Sequence, residues 1–229
     1  MGHELELKLA MTPQALGRLR RHPSIRSLAG SARARKLSLI TTYYDTPDRQ
    51  LAARGMALRI RSSGKNFVQT LKIPTDDGRG LQSMAEYEAA LPGDRLDPTL
   101  IANDRLADFL AEPDIGDALG PIFETRLERY VLPVHLFGSQ IEIAFDRGEV
   151  VAGDKRQALC EAEFELKDGQ PEALYQLALS VIEDIPFQLE SRSKAERGHA
   201  LADSAPPPGA KAAERLYIAT PASIVIGPH

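Results

Sequence analysis

Strict alternation of charged and apolar residues, repeated in one strand-like segment after another, is the feature that most constrains the fold of this chain. In the segment GHELELKLAM (2–11), the charged residues Glu4, Glu6 and Lys8 alternate with three leucines. Side chains two residues apart lie on the same face of a β-strand, so one face would carry the charges and the other the leucines. The charged face either meets water or lies inside a closed sheet, where it would form a site.

The same alternation recurs along the chain, and it places charges of one sign together on most strands. The segment ALRIR puts Arg59 and Arg61 on one face, and CEAEFE aligns three glutamates. A polar face on a single strand usually meets water, but such surfaces tend to mix charges of both signs. The acidic positions on these faces are Glu4, Glu6, Glu86, Glu88, Glu142, Asp146, Glu161, Glu163 and Glu165. The basic positions are Lys8, Arg59, Arg61, Lys72, Arg129 and Lys194.

This segregation of charge predicts a site for cations and for a polyanion. Like charges that are aligned on one strand face repel each other, so we expect something to compensate the glutamates. Divalent cations are the obvious candidates, because carboxylate oxygens are the ligands that Mg²⁺ and Mn²⁺ prefer. Arginine and lysine side chains suit phosphate oxygens. If all of these faces point into one lumen, a linear triphosphate with Mg²⁺ fits it.

The chain is organised as many antiparallel strands with a few helices. Thr12 and Pro13 are typical of a helix start, and Pro171 precedes the clearest helical pattern. Antiparallel sheets of this size usually close on themselves or stack, which hides their edges. We therefore expect a β-dominated α+β domain over residues 1–203. Residues 204–229 are rich in proline and alanine and are predicted to be a linker or tail.

Composition and charge exclude several other classes of protein. The formal net charge is -4, so a general nucleic-acid partner is not expected. Cys160 is the single cysteine, and no long apolar run suggests a signal peptide or a membrane span, so we expect a cytoplasmic protein. The five histidines lack the spacing of zinc ligands. Tyr43 and Tyr44 are interpreted as packing residues, and Asp45 as a helix cap.

An ordered set of motifs resembles one known family. The motifs HELELKL, YYDTP, ALRIR, TLK, EYE, FETRLER, EIAFDRG, CEAEFELKDG and SKAERG follow one another between about residues 3 and 201. They resemble the CYTH superfamily, the triphosphate tunnel metalloenzymes. The resemblance implies a closed eight-stranded antiparallel β-barrel with flanking helices. It also implies that the barrel encloses a tunnel, binds Mg²⁺ or Mn²⁺ and acts on small-molecule triphosphates.

The resemblance also implies a role for each charged position. All nine acidic positions above become candidate metal ligands, and the six basic positions become candidate phosphate ligands. The catalytic candidates are Lys8, Glu4, Glu6 and Arg59. Arg129 is preferred to Arg126, because the family spacing T-x-x-x-R runs from Thr125. Met84 stands where the family often has an arginine, and Arg79 is a candidate replacement.

The leading functional hypothesis is the metal-dependent hydrolysis of inorganic triphosphate to pyrophosphate and phosphate. Thiamine triphosphatase and class IV adenylate cyclase are enzyme alternatives, and a polyphosphate-binding module is the non-enzyme alternative. The chain has no Trp that could hold a base or a thiazolium. SKAERG followed by a proline-rich stretch resembles bacterial members in which a CHAD domain follows, and the sequence leaves the oligomeric state open.

Overall fold

The structure is a computed structural model that describes residues 2–74, 83–113 and 115–203; for residues 2–4 and 83 it describes the backbone alone. The predicted tail (204–229) and Arg79 lie outside the described residues. The strands are β1 (Gly2–Ala10), β2 (Arg35–Asp45), β3 (Ala57–Ser63), β4 (Asn66–Pro74), β5 (Ser83–Leu91), β6 (Gly120–Leu136), β7 (Ser139–Ala152), β8 (Lys155–Asp168) and β9 (Gln188–Leu189). The helices are α1 (Pro13–Arg20), α2 (Pro23–Ala29), α3 (Gln50–Ala53), α4 (Asp104–Ala111), α5 (Ile115–Ala118), α6 (Glu172–Leu179) and α7 (Lys194–Asp203), with a 3₁₀ turn at Pro98–Leu100.

All described strands belong to one antiparallel sheet. Their order is β5-β4-β3-β2-β6-β7-β8-β1-β9, so most neighbours in the sheet are also neighbours along the chain. The tight connections between β3 and β4 and between β7 and β8 contain Gly64 and Gly153, both at positive φ, where glycine is least strained. The β-dominated antiparallel architecture with flanking helices is therefore confirmed.

The sheet is not closed along its length, so the expectation of a closed eight-stranded barrel is wrong in that respect. The first half of β1 pairs with β5 over four residue pairs, from Gly2 with Glu86 to Leu5 with Ser83. Farther along β1, Leu9 and Ala10 pair with the two-residue strand β9. The antiparallel register limits the pairing of β1 with β5 at both ends: residues of β5 after Glu86 would lie opposite positions before Gly2, and β1 beyond Leu5 would lie opposite positions before Ser83. The pairing between β1 and β5, which would close the sheet, is therefore limited to four residue pairs.

Over most of the sheet the apolar faces of the strands point outward and are covered by helices, whereas a third core that includes Leu39, Leu127 and Leu159 packs against α7 on the inner side. One core packs α1, α2 and α6 against β1 and β6–β8, and its fully buried members include Leu9, Leu19 and Phe164. A second core packs α4 and α5 against β3 and β4, with Leu71 and Phe109 at its centre. Since successive side chains of a strand point to opposite sides, the charged faces lie on the inner, concave side. Among the described residues, no helix is long and apolar enough to cross a membrane.

Candidate active site

Every long strand contributes to one cavity of about 590 Å³ on the concave side of the sheet, and α7 lies at its wall. The cavity is lined mainly by charged side chains, not by the apolar residues typical of small-molecule pockets. Its charged lining residues are Glu6, Lys8, Arg59, Arg61, Lys72, Glu86, Glu88, Arg129, Glu142, Glu163, Glu165, Lys167, Lys194 and Glu196. Cations predominate on β3 and β4, and acids predominate on β1, β7 and β8, which gives the cavity a basic side and an acidic side.

The basic side is built by β3 and β4, with one acid from β5. Glu86 Oε1 lies 2.7 Å from Lys72 Nζ and 3.4 Å from Arg59 Nη2, so one carboxylate serves two cations. Burial would raise the pKa of Glu86, but the charges of Lys72 and Arg59 outweigh it and hold the pKa below its ordinary value. Glu88, which was predicted as a metal ligand, is mostly exposed and accepts a hydrogen bond from Thr70 Oγ1 at 3.2 Å.

Arg61 is the cation of this side whose charge is least compensated. Its Nε is buried without a hydrogen-bond partner, and no ion pair joins Arg61 to any acid within the described residues. The charge of Arg59, burial and the charge of Arg129 together lower the pKa of Arg61 to about 10. A guanidinium with a lowered pKa is held in an excess of positive charge. The basic side therefore lacks negative charge, which an anion in the cavity would supply.

The acidic side is built by β1, β7 and β8, and strand register sets its geometry. Glu6 pairs in register with Glu165, and Glu165 pairs with Glu142, which gives a row of three carboxylate residues across three strands. Directly opposite positions bring Cβ atoms within about 5 Å of each other. Lys167 Nζ lies 2.5 Å from Glu165 Oε1, and Lys8 Nζ lies 3.4 Å from Glu6 Oε1. Lys8 itself is buried and pairs in register with Glu163.

A second group of acids lies deeper, next to this row. Single carboxylate oxygens of Asp146, Glu161 and Glu163 all lie within 4.8 Å of one another, and all three residues are buried. Lys194 Nζ contacts all three, at 3.0 Å from Asp146, 2.6 Å from Glu161 and 2.5 Å from Glu163. We refer to these four residues as the ammonium-centred cluster. Its cation comes from α7, about thirty residues downstream of the glutamates on β8.

Two arginines complete the charge balance of the ammonium-centred cluster. Arg129 donates to both oxygens of Asp146, at 2.7 and 2.6 Å, and to Glu163 at 2.6 Å. Arg197 donates to Glu161 at 2.9 Å. Although burial opposes ionisation, Lys194 and Arg129 hold the pKa of Glu163 well below its ordinary value. Likewise, Glu163, Asp146 and Glu161 overcome burial and hold the pKa of Lys194 well above its ordinary value.

The structure places most of the predicted residues in or beside this cavity. Arg129 points inward, whereas Arg126 is exposed and pairs with Glu124 at 3.2 Å, so the two arginines lie on opposite faces of β6. Lys194, predicted to contact phosphate, contacts three carboxylates here. The side chain of Glu4, predicted to be a metal ligand and a catalytic residue, lies outside the described residues.

Sequence reasoning missed two residues of α7. Arg197 is one helical turn after Lys194 and reaches the same glutamate, and the i, i+3 spacing within SKAERG could have revealed it. His199 lines the cavity, with its ring packed edge-on against Phe123 and its Nε2 3.7 Å from Asp45 Oδ2. Burial lowers the pKa of His199. Its spacing from the other histidines gave no signal, because its neighbours here come from β2 and β6.

The acidic side has the chemistry of a divalent-cation site. All of its ligands are carboxylate oxygens, which Mg²⁺ and Mn²⁺ prefer over nitrogen or sulfur. The convergence of Asp146, Glu161 and Glu163 on one cationic atom shows that this place accommodates positive charge. The row of Glu6, Glu165 and Glu142 offers further carboxylates toward the cavity. The residues present therefore fit a divalent cation.

A model of the CYTH domain matches residues 2–198, which is nearly the whole described chain. The chain belongs to the CYTH domain family. It is 37% identical over 205 residues to an inorganic triphosphatase of Haemophilus influenzae, and this match covers 88% of the chain. The match covers 55% of the relative, so the chain spans about half the length of the curated protein that it resembles.

Solved structures share the CYTH fold at low sequence identity. One is a protein from Hippeastrum described as a candidate adenylyl cyclase with a dominant triphosphatase activity. It is 20% identical to this chain, with a TM-score of 0.61 over 87% of this chain and 96% of its own. Another is a candidate adenylate cyclase from Bacillus halodurans, 21% identical, with a TM-score of 0.56 over 86% and 98% of the two chains. At these identities the likeness supports the fold alone.

Proposed function

We propose that this CYTH domain hydrolyses inorganic triphosphate to pyrophosphate and phosphate, with Mg²⁺ or Mn²⁺ as cofactor, and that the cavity works as a triphosphate tunnel. The observation that carries the proposal is the uncompensated guanidinium of Arg61 beside Arg59 and Lys72. A cavity with this excess of positive charge on one side and clustered carboxylates on the other suits a phosphate chain bound together with a metal ion. The 37% identity to an inorganic triphosphatase supports the same activity.

On the basic side, the chain's own cations would bind and orient the substrate. Arg59 and Arg61 are two residues apart on β3, so their guanidinium groups face the cavity together and can donate paired hydrogen bonds to phosphate oxygens. Lys72 lies on the neighbouring strand, where Ala57 is its partner in register. Three cations held on adjacent strands fix the phosphate chain in one orientation, which favours in-line attack on the terminal phosphorus.

On the acidic side, Glu6, Glu142, Glu163 and Glu165 would hold the divalent cation, with Glu4 next along β1. Bound there, the cation would neutralise charge on the phosphate oxygens. Lys8 and Glu6 lie side by side at the junction of the two sides, and we assign them to the attacking water. Lys8 orients the water, and a carboxylate oxygen of Glu6 takes its proton. The new P–O bond forms to water, the anhydride bond breaks, and pyrophosphate leaves, without a covalent enzyme intermediate.

The test is phosphate release from tripolyphosphate, ATP and thiamine triphosphate, side by side, with and without Mg²⁺ and Mn²⁺. We expect kcat/KM to be highest for tripolyphosphate and activity to require a metal ion. Tripolyphosphate has no group at either end that needs a pocket, and the chain has no Trp to stack a base. Equal turnover of ATP or thiamine triphosphate would contradict the substrate assignment. Metal-independent binding of tripolyphosphate without turnover would identify a binding module instead.

A further inference from the structure

A second concentration of positive charge lies outside the cavity. Between residues 7 and 44 the chain contains no Asp or Glu, although the whole protein carries a net charge of -4. Seven arginines and lysines fall within residues 18–36 of this stretch. They are Arg18, Arg20, Arg21, Arg26, Arg33, Arg35 and Lys36. We refer to the outer surface with Arg18, Arg20, Arg21, Arg26, Arg33 and Lys36 as the basic face; Arg35, next to Lys36 on β2, lies on the opposite side of that strand.

Both ends of the 18–36 segment meet on one aromatic ring, which brings the end of α1 and the start of β2 together on the outer side of the sheet. The guanidinium carbon of Arg20, at the end of α1, lies 4.0 Å from the ring centroid of Tyr130. Lys36 Nζ, at the start of β2, lies 5.6 Å from the same centroid. Meanwhile α1 and α2 bury Leu19 and Ile25 against the outer side of the sheet. Their cations are consequently left on the outside, away from the cavity.

Little negative charge offsets the basic face. Lys36 pairs with Glu128 at 2.6 Å, and His22 lies 2.9 Å from Asp184. Four exposed arginines of the basic face make no ion pair with any acid in the part of the chain that the structure describes. These are Arg18, Arg21, Arg26 and Arg33. Like charges on one surface repel each other, and a polyanion would relieve that repulsion.

The surroundings of the basic face restrict the kind of polyanion. The exposed large apolar side chains of the described residues, such as Phe137 and Leu179, lie outside residues 11–36. The segment that forms the face therefore carries no apolar anchor of its own for a membrane or for the apolar centre of a protein interface. Its aromatic ring, Tyr130, is covered by Arg20 and offers no platform on which a nucleic-acid base could stack. The basic face can therefore recognise a ligand by its charge alone, and its guanidinium groups suit phosphate.

We infer that the basic face binds linear inorganic polyphosphate, a phosphate polymer without bases, at a site separate from the cavity. The inference stands on the exposed arginines and does not depend on the proposed hydrolysis. Binding through charge alone releases counterions, so it weakens steeply as salt rises. The face would hold a phosphate polymer on the outside of the sheet, whereas the cavity takes a short chain inside it.

The test measures binding of long-chain polyphosphate at several salt concentrations in EDTA, so that metal-dependent hydrolysis cannot occur. The variant is Arg18→Ser with Arg21→Ser and Arg26→Ser. The matched control removes the same charge elsewhere, by Arg126→Ser with Arg147→Ser and Arg156→Ser. We expect at least about tenfold weaker binding and a shallower salt dependence in the first variant. The control should stay within about threefold of the wild type.

Three further measurements make the outcome decisive. Tripolyphosphate hydrolysis with Mg²⁺ should be the same in the wild type and both variants, because none of the six arginines lines the cavity. A second variant, Arg33→Glu, should weaken polyphosphate binding as well and guards against misfolding of the first. Equal weakening by the control, or no binding to the wild type, would overturn the inference. Single-stranded RNA binding as tightly as polyphosphate would overturn the assignment to a polymer without bases.

Discussion

The charges on the two sides of the cavity are compensated in different ways. On the acidic side, Asp146, Glu161 and Glu163 receive an ammonium and two guanidinium groups from elsewhere in the chain, at 2.5 to 3.0 Å. On the basic side, Glu86 serves both Arg59 and Lys72, and Arg61 has no acid of its own within the described residues. The first side is balanced within the protein, whereas the second is not.

This difference indicates where ligands act. A balanced cluster stabilises the fold by itself, but a divalent cation must compete there with the ammonium of Lys194. An unbalanced group of cations raises the free energy of the empty protein, and the binding of an anion lowers that free energy again. The pKa of Arg61, lowered to about 10, is the electrostatic sign of this imbalance. Substitutions in the balanced cluster should therefore mainly lower stability, whereas substitutions among the unbalanced cations should mainly lower activity.

The largest effect is expected from Lys194→Met in the absence of divalent metal. The substitution removes the cation that three buried carboxylates share, and removal of one partner from a buried ion pair costs about 3–5 kcal/mol. We expect the free energy of unfolding to fall by this amount in urea titrations with EDTA. We also expect Mn²⁺ to raise the Tm of the variant more than that of the wild type, since its competitor is gone.

Lys36→Met is the matched control. It breaks the ion pair between Lys36 Nζ and Glu128 Oε2, which is as short as those of Lys194, at 2.6 Å, but exposed. Such exposed pairs contribute little to stability, because water screens them. If Lys194→Met were as mild as Lys36→Met, or if Mn²⁺ stabilised it no more than the wild type, the ammonium-centred cluster would not have the assigned role.

Next in size is the effect of Arg61→Met, which should separate activity from stability. Loss of one transition-state charge contact costs about 2–4 kcal/mol in kcat/KM, and we expect this loss for tripolyphosphate. The Tm of the empty protein should stay the same or rise, because the variant relieves repulsion with Arg59. Kinetics and thermal unfolding on the same samples test both parts. Arg126→Met, on the outer face of the sheet, should change neither; a large drop in Tm for Arg61→Met would contradict the comparison.

The pH dependence of stability should reflect the acidic side. Because the pKa of Glu163 in the folded protein is held well below 4.5, its contribution is present above that value and is lost as pH falls through the folded pKa. Lys194 contributes fully below 10.5, and its contribution is lost as pH rises through its elevated folded pKa. Between these limits the cluster keeps its stabilising effect.

Urea unfolding of the wild type and of Glu163→Gln between pH 3 and 7 checks this. Each proton that binds on unfolding changes stability by about 1.4 kcal/mol per pH unit. The variant lacks one such carboxylate, so its stability should fall less steeply below pH 4.5. Parallel curves for the two proteins would show that Glu163 keeps an ordinary pKa.

The smallest effect is expected from removal of residues 204–229. Residues 204–229 are rich in proline and alanine and contain none of the motifs that line the cavity, whereas α7 contacts the rest of the domain, as in Arg49 with Asp203 at 2.7 Å and Lys155 with the carbonyl of Ala202 at 3.1 Å. A chain that ends after Asp203 should hydrolyse tripolyphosphate within about twofold of the full chain. A chain that ends after Ser193 loses both cations of α7 and should be strongly destabilised. If the chain that ends after Asp203 lost activity, this would show that the tail acts on the cavity.

Some features depend on long-range pairing that local pattern cannot show. The barrel does not close along its length because the register between β1 and β5 leaves only four residue pairs, from Gly2 with Glu86 to Leu5 with Ser83. The aligned glutamates were expected to be compensated, with divalent cations as candidates, and the structure adds that Lys194, Arg129 and Arg197 pair with Glu161 and Glu163 within the protein. Alternation does indicate that Glu161 and Glu163 share a face, but it does not indicate which cation will lie opposite.

The sequence by itself determined the antiparallel strands, their charged and apolar faces, and membership of the CYTH family, because strand periodicity and ordered motifs are local properties. It also separated acids from bases strand by strand. Only the tertiary structure decided which faces point inward, how far the sheet closes, and how the charges pair. Those features depend on register between strands and on the docking of α7, which bring together residues that are far apart in the chain. The balance of Lys194 against three carboxylates and the isolation of Arg61 exist only in that arrangement.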